Sequence, residues 1–198
     1  MPRAFLFRPG NRRHQESYLC RENQLCMEGT IVNKVADSGL LTLDLEKFLP
    51  SEPVIGFDIA PFLFMGQILR EKDFREAMQQ HEWTAYTGRD VAVHCSADAI
   101  LPAWAFMLIA SSLADHARSI HAGTIGEVSR TLLIENIRSG VRGEEYADKR
   151  VVIKGCGDHS IGPDAYLEVT NILKPFVKTL MYGEPCSTVP VYKKKPGA

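Results

Sequence analysis

The chain has 198 residues, of which 45% are hydrophobic and 24% are charged, and its formal net charge is −1. A chain of this length and composition buries enough surface to fold without disulfides or a structural metal. The balanced charge argues against a nucleic-acid-binding protein, which usually carries a basic excess. No stretch approaches the ~20 apolar residues that span a bilayer, so the sequence predicts neither nucleic acid nor membrane as a partner.

The first 26 residues differ in character from the rest of the chain. They contain five arginines and two acidic residues, and they show no helical or strand periodicity. They also lack the sustained apolar run of a signal peptide. Met27 opens the stretch MEGTIVNKV, which is typical of the start of a folded domain. The sequence therefore predicts Met27 as the native start and residues 1–26 as a disordered upstream extension, with a partner-binding arm as the alternative. It predicts a single α/β domain over residues 27–198.

Short strands separated by turn residues dominate the beginning of this domain. Three such strands are expected, at residues 30–35 (TIVNKV), 40–45 (LLTLDL) and 53–59 (PVIGFDI). The spacing of Phe74, Ala77 and Met78 then predicts an amphipathic helix over residues 70–81.

Three strand–turn–helix units follow. The strands are expected at residues 90–94, 118–122 and 150–154, and each leads into a helix. The second helix begins at Thr124, where the sequence TIGE has the spacing of a capping box. The apolar stripe of the third predicts a long helix over residues 163–181, kinked at Pro175. A last edge strand is expected at residues 189–192.

This order of elements defines the expected fold class. Strands that alternate with helices favour a three-layer-like α/β fold, in which one central parallel or mixed sheet carries helices packed on it. Crossover connections are nearly always right-handed, so the turns from strand to helix should share one edge of the sheet. Ligands of α/β proteins usually bind at that carboxyl edge.

Two cysteines occupy similar places in this scheme. Cys95 and Cys156 each follow an apolar strand, and each is followed by isoleucine at +5 and proline at +7. Both are therefore expected at the carboxyl edge, near helix N-termini whose partial positive charge favours a thiolate. A third, Cys186, lies in a proline-bounded loop that could return to the same edge. Five cysteines without an export signal indicate reduced thiols and a cytoplasmic protein.

Three chemistries fit these cysteines. Cys95, Cys156 and Cys186 could bind an iron–sulfur cluster or a single metal ion, with His94 or His159 as a less favoured fourth ligand. Cys156 alone could act as a nucleophile or carry sulfur as a persulfide. Alternatively, each cysteine is a small buried hydrophobic residue. The spacing matches no standard metal motif, and the motifs of phosphate loops, dinucleotide sites, zincins and α/β-hydrolases are absent.

From Met27 onward the chain resembles a bacterial family known only as domain of unknown function 2480. The resemblance rests on the stretches IVNKVADSGLLTLDLE, ILREKDFREA, CSADAILPAWAFMLIAS, DKRVVIKGC and LMYGEPCSTVPVYK. All three cysteines fall within these stretches, whereas His94 and His159 are not part of the family pattern. The resemblance implies no established activity. The association of the family's genes with sulfur mobilisation and iron–sulfur assembly favours proteins of those processes as partners.

The sequence thus leaves three functions open. The first is an accessory protein of iron–sulfur or sulfur-transfer metabolism that binds a cluster, a metal ion or a persulfide through the three cysteines. The second is a metal-free small-molecule binder or enzyme with Cys156 as its nucleophile. The third is a protein-interaction scaffold without chemistry.

Overall fold

The computed structural model describes residues 39–155 and 157–195. The predicted extension 1–26, the predicted strand 30–35 and Cys156 lie outside these ranges. The described residues form seven β-strands and four α-helices. The strands are β1 Leu40–Leu43, β2 Ile55–Asp58, β3 Asp90–His94, β4 Ser119–Ala122, β5 Arg150–Lys154, β6 Thr179–Glu184 and β7 Ser187–Lys193. The helices are α1 Glu71–Gln80, α2 Ala103–Leu113, α3 Ile125–Gly140 and α4 Pro163–Leu173.

The strands form two sheets. A three-stranded sheet has the order β2-β3-β4, and a four-stranded sheet has the order β1-β5-β6-β7. All pairs are parallel except β6 and β7, which form an antiparallel hairpin. The α/β fold class is confirmed, but the prediction of one central sheet is wrong. β1 pairs with β5, which comes more than 100 residues later. In the sequence, the whole segment from β2 to β4 is therefore inserted between two strands that are neighbours in the other sheet.

Each sheet has its own hydrophobic core, and α3 contacts both. In the three-stranded sheet, Val91 and Val93 pack with α1 and α2 on one face. On the other face Ala92 packs against Val128 and Leu132 of α3. Leu133 and Ile137, on a different side of the same helix, belong to the core of the four-stranded sheet. Because strand β3 is buried on both faces, its three middle residues, 91–93, are all apolar.

The two sheets are built from the same units. The segment β3–α2–β4 has the same order of elements as the segment β5–α4–β6. Strands β3 and β5 begin 60 residues apart, and so do helices Ala103–Leu113 and Pro163–Leu173. The strands β1 and β2 match at an offset of 14, as LTLDLEKFL aligns with IGFDIAPFL. The registers agree: Leu43 pairs with Ile153, as Phe57 pairs with Val93. At the offset of 60 residues, Cys95 corresponds to Gly155, so the predicted equivalence of Cys95 and Cys156 is wrong by one residue.

The sequence predicts the start of α3 correctly and the end of α4 wrongly. The capping box at Thr124 and Glu127 is confirmed, with both of its reciprocal hydrogen bonds present. The predicted helix 163–181 ends at Leu173, and residues 179–184 form strand β6 instead. Pro175 has no N–H to donate and cannot continue a helix. Val177 and Leu180 are buried, as the apolar stripe requires, but from a loop and a strand. Across the described ranges, no helix has the length and apolar character to cross a membrane.

Candidate small-molecule site

The structure separates the cysteines that the sequence grouped. Cys95 follows β3 of the three-stranded sheet and packs, half-buried, against the core of that sheet. Cys186 is exposed in the turn between β6 and β7 of the four-stranded sheet. Cys156 lies outside the described ranges; the strands that precede Cys95 and Cys156 in the sequence, β3 and β5, belong to different sheets. The assignment of these cysteines as ligands stays a prediction. Within residues 39–155 and 157–195, no group of three or more His, Cys, Asp or Glu side chains is arranged to hold a metal ion.

The two candidate histidines also lie in different sheets. His94 ends β3 opposite Asp58, and its ring Nδ1 lies 3.4 Å from the carbonyl oxygen of Ala92. His159 lies in the loop between β5 and α4, where its backbone N–H donates to Glu46 Oε1 at 2.6 Å. Its ring Nδ1 is 3.4 Å from the same oxygen. Of the two, His159 is therefore the one that belongs to the same connection, between β5 and α4, as Cys156 does in the sequence.

A cavity of about 390 Å³ opens at the carboxyl end of strands β1 and β5. This is the edge at which α/β proteins usually bind ligands. Its lining is mainly polar, with two carboxylates, one ammonium group, one imidazole and two phenol rings. The lining residues are Asp44, Leu45, Glu46, Lys154, Gly155, Gly157, His159, Ser160, Ile161, Tyr166 and Tyr182.

An ion pair fixes one wall of the cavity. Lys154 Nζ lies 3.0 Å from Asp44 Oδ2, and the N–H of Glu46 donates to Asp44 Oδ1 at 3.1 Å. Desolvation acts to raise the pKa of Asp44, but the hydrogen bonds from Lys154 and Glu46 outweigh it and lower the pKa. The same hydrogen bond raises the pKa of Lys154. Lys154 therefore keeps its positive charge at neutral pH.

Two glycines allow the wall to form on either side of position 156. A Cβ atom on Gly155 would lie 2.6 Å from the ring of Tyr182, whose hydroxyl donates to the Gly155 carbonyl at 3.3 Å. A Cβ atom on Gly157 would collide with the carboxylate of Glu46. A side chain at either position would force the Tyr182 ring or the Glu46 carboxylate to move, because these groups approach the backbone closely.

The corresponding loop of the three-stranded sheet is held by a different carboxylate. Asp58, equivalent to Asp44, accepts from the N–H of Ser96 at 2.9 Å and from its hydroxyl at 2.6 Å. It also accepts from the N–H of Ala60 at 3.0 Å. Desolvation opposes these hydrogen bonds, yet together they lower the pKa of Asp58. Asp58 therefore holds the loop that follows β3. Asp44 instead pairs with Lys154, and the loop that follows β5 is held by Glu46.

Sequence reasoning missed the acidic residues and the tyrosine of the cavity. These residues come from distant parts of the chain: Lys154 and Tyr182 lie in strands β5 and β6, Asp44 directly follows β1, and Glu46 lies in the short 3₁₀-helix Leu45–Phe48. One signal was available: the aspartate shared by LTLDLEKFL and IGFDIAPFL marks the end of a strand twice, 14 residues apart.

A second polar cluster lies at the opposite edge, where β3 begins. The buried Asp90 accepts from the guanidinium of Arg118, with Nε at 2.9 Å, and from the Ser119 hydroxyl at 2.7 Å. The hydrogen bond from Arg118 is the largest of the effects that lower the pKa of Asp90. Arg118 also reaches Ser51 at 3.3 Å. Every polar atom of the Asp90 carboxylate is thus engaged, which is typical of a structural cluster.

The family model described as "Protein of unknown function (DUF2480)" matches residues 29–194, which is most of the chain. The match confirms the resemblance that the sequence indicated. No curated protein matches the chain, and no solved structure matches it.

Proposed function

This chain belongs to the DUF2480 family of proteins of unknown function, and we propose that it binds a small molecule in the cavity of the four-stranded sheet, with Cys156 as a reactive thiol. One observation carries the proposal: a polar cavity at the carboxyl edge is walled by Gly155 and Gly157, the two residues that flank Cys156 in the sequence. Ligand sites are concave and contain a few convergent polar groups. A free thiol fits a reducing, cytoplasmic compartment, which is part of the proposal.

The charges of the cavity support a thiol role. A neighbouring ammonium group favours a thiolate over a thiol, and Lys154 precedes Cys156 by two residues. Asp44 raises the pKa of Lys154, so this charge persists throughout the neutral range. In this proposal Cys156 adds as a thiolate to an electron-poor C=C bond of the ligand: the C–S bond forms as the π bond opens, and solvent supplies the proton that completes the addition. The Tyr182 hydroxyl and the loop backbone orient that ligand, and Glu46 fixes the loop through the backbone N–H of His159.

A second candidate is an accessory role in iron–sulfur or sulfur-transfer metabolism, and the position of Cys186 favours it. β5 and β6 pair in parallel, with Lys154 opposite Gly183. Cys156 and Cys186 therefore follow the carboxyl ends of two adjacent strands. Two thiols could hold a metal ion or cluster, with His159 as a further ligand, or could pass sulfur between them. Proteins of sulfur mobilisation or iron–sulfur assembly would be the partners. Cys95 and His94, which belong to the other sheet, have no part in this version.

One experiment separates these candidates. The protein is purified without oxygen, its metal content is measured, and the rate of iodoacetamide labelling is determined for each cysteine by mass spectrometry. Metal-free protein in which Cys156 labels at least about tenfold faster than Cys95 supports the first proposal. Stoichiometric iron or zinc that is lost in both Cys156→Ser and Cys186→Ser supports the second. Equal, slow labelling without metal contradicts both and leaves a role as an interaction scaffold.

A charge variant tests whether the cavity activates the thiol. In Lys154→Gln, labelling of Cys156 should slow by about tenfold, because a depressed thiol pKa returns toward 8.5 when the cation is removed. Lys149→Gln is the matched control, since Lys149 lies before β5, at the opposite edge of the sheet. Equal rates in both variants would contradict a role for Lys154.

A further inference from the structure

One edge of the three-stranded sheet lacks a neighbour that its counterpart in the other sheet has. β4 ends the order β2-β3-β4, and no strand among the described residues pairs with its outer edge. The equivalent strand of the other sheet, β6, pairs with β7 along its whole length. The outer edge of β4 therefore presents backbone N–H and C=O groups to which a further strand can bind.

The β4 edge carries none of the features that usually prevent strand addition. Such features are prolines, lysines and bulges in the edge strand. The outer strand of the other sheet, β7, contains Pro190 and Lys193, and its register with β6 shifts between Leu180 and Met181. The sequence of β4 is Ser-Ile-His-Ala, and its register with β3 is continuous. The edge of β4 is thus open to pairing, whereas the edge of β7 is protected.

The helix beside this edge is apolar where it would face an added strand. In the four-stranded sheet, a groove of about 610 Å³ lies between α4 and the β6–β7 hairpin, and Val191 of β7 forms part of it. The residues of α4 that line this groove are Pro163, Tyr166, Leu167 and Thr170. Their equivalents in α2, 60 residues earlier, are Ala103, Phe106, Met107 and Ala110. All four equivalents are apolar, so this side of α2 suits a strand in the place that β7 takes in the other sheet.

This side of α2 is exposed and uncharged. Met107 is 70% exposed, and Ile100, in the loop that leads into the helix, is 98% exposed. From residue 99 to residue 114 the sequence contains no charged side chain. The outer face of a surface helix normally carries charged and polar residues. An exposed apolar surface beside a free strand edge indicates a contact with another protein chain.

We propose that two copies of this chain pair through β4, so that their three-stranded sheets form one continuous sheet of six strands. A two-fold axis perpendicular to the sheet makes the two β4 strands antiparallel and keeps both α2 helices on one face. β7 is also antiparallel to β6, so the symmetric pair repeats the direction of pairing that the other sheet already contains. The same axis brings α2 against α2 of the second copy, and neither helix has a charge there that opposes the contact.

The two faces of β4 restrict how the strands align. Ile120 packs with the core beneath α1 and α2, and it pairs with Val91 of β3. His121 points to the opposite face, where its Nε2 lies 3.1 Å from the Ser119 hydroxyl. Directly opposed residues of antiparallel strands share a face. Ile120 therefore meets Ile120 or Ala122 of the second copy, and the apolar sides of the two sheets become continuous.

Sedimentation velocity of the full chain over a range of concentrations tests the assembly, and a reversible equilibrium between monomer and dimer is expected. Hydrogen exchange then locates the contact. Amide exchange in residues 119–122 should slow as the concentration rises through the dimer range. Exchange in residues 55–58 of β2, at the other edge of the same sheet, should stay constant. A chain that remains monomeric, or a dimer that leaves residues 119–122 unprotected, would overturn the proposal.

The internal repeat provides a matched pair of variants. Met107→Glu places a carboxylate on each α2 at the contact, and it should weaken dimerisation by at least about tenfold because like charges across an interface repel. Leu167→Glu makes the same change at the equivalent position of α4, which is 67% exposed, and should leave dimerisation unchanged. Equal losses in the two variants, or unchanged dimerisation in Met107→Glu, would contradict a contact through α2.

A charge pair separates the contact from any general damage to the fold. Met107→Lys should weaken dimerisation as Met107→Glu does. A mixture of the two variants should associate at least about tenfold more tightly than either variant alone, because opposite charges then meet across the axis. A mixture that associates no better than the single variants would show that the two helices do not meet at Met107. The contact does not involve the cavity of the proposed function, so the labelling of Cys156 should be the same in all these variants.

Discussion

The loops after β3 and β5 occupy equivalent places in the two sheets but are held in different ways. After β3, Asp58 accepts both the N–H and the hydroxyl of Ser96, and the loop packs against its own core. After β5, Asp44 pairs with Lys154, and Glu46 holds the loop further along at His159. The equivalent of Glu46 in the three-stranded sheet is Ala60, whose methyl side chain cannot accept a hydrogen bond from the loop. The same order of strands and helices therefore carries a loop held by Asp58 in one sheet and an open, charged cavity in the other.

A second difference explains where glycine is needed. Position 182 pairs with Ile153 in the four-stranded sheet and holds a tyrosine, whereas its equivalent, Ala122, pairs with Val93. Beside the tyrosine the chain has Gly155, and beside the alanine it has Cys95. A large residue on one strand is thus matched by a small one on the next. The comparison teaches that Tyr182 and Gly155 form one unit of the cavity, while Cys95 fills space in its core.

The largest expected effect concerns whether the two cores unfold together. Leu113 and Leu173 are equivalent and fully buried, so Leu113→Ala and Leu173→Ala should each lower the free energy of unfolding by about 3 kcal/mol. Because α3 packs on both sheets, each variant should show one cooperative transition in urea, with the same midpoint by tryptophan fluorescence and by circular dichroism. Two separated transitions would show that the sheets are independent and would contradict a single domain.

The next effect concerns the polar cluster around Asp90 in the three-stranded sheet. Asp90→Asn should lower the free energy of unfolding by about 2 kcal/mol at pH 7, since it removes a charged acceptor. The pKa of Asp90 is lowered in the folded chain from its ordinary value of 3.8. Its contribution is therefore present above that value and is lost as the pH falls through the folded pKa. Urea titrations from pH 7 to pH 3 should show the difference shrink; a constant difference would contradict this assignment.

A smaller effect compares the two aspartates that end β1 and β2. Asp58→Ala should cost about 1.5 kcal/mol, because three hydrogen bonds to the loop are lost. Asp44→Ala should cost less than about 1 kcal/mol, since its partner Lys154 is partly exposed and the ion pair is screened. Thermal melts of the two variants measure the difference. The reverse order would show that the cavity wall, and not the closed loop, depends more on its aspartate.

The smallest effect tests the pairing of Gly155 with Tyr182. Gly155→Ala should destabilise the chain by about 1 kcal/mol, because the added methyl group displaces the tyrosine ring. In a Tyr182→Ala background the same change should cost almost nothing, since that pair reproduces the small residue at Ala122. A double-mutant cycle measures the coupling. Additive effects of the two substitutions would contradict a shared unit.

Periodicity and cap residues alone determined most of the elements and the α/β class. Strands β3 and β5 and the start of α3 lie where the sequence predicts them, because an apolar run and a capping box act over a few residues. The prediction of a helix through residue 181 is wrong because the apolar residues that cover the core belong first to a helix, then to a loop and then to a strand. Pro175 is a local signal for the end of the helix, but the apolar stripe favoured a helix that continues past it with a kink.

Tertiary structure alone decided which strands share a sheet and which side chains meet. A parallel strand can pair with any exposed edge, and the pairing of β1 with β5 depends on contacts across more than 100 residues. That pairing brings Glu46 to His159, which is 113 residues later, and Asp44 to Lys154, which is 110 residues later. It also assigns Cys95 to one sheet and Cys186 to the other. The sequence predicts the cysteines near strand ends, but only long-range packing, which leaves no periodic signal, brings together the side chains that line the cavity.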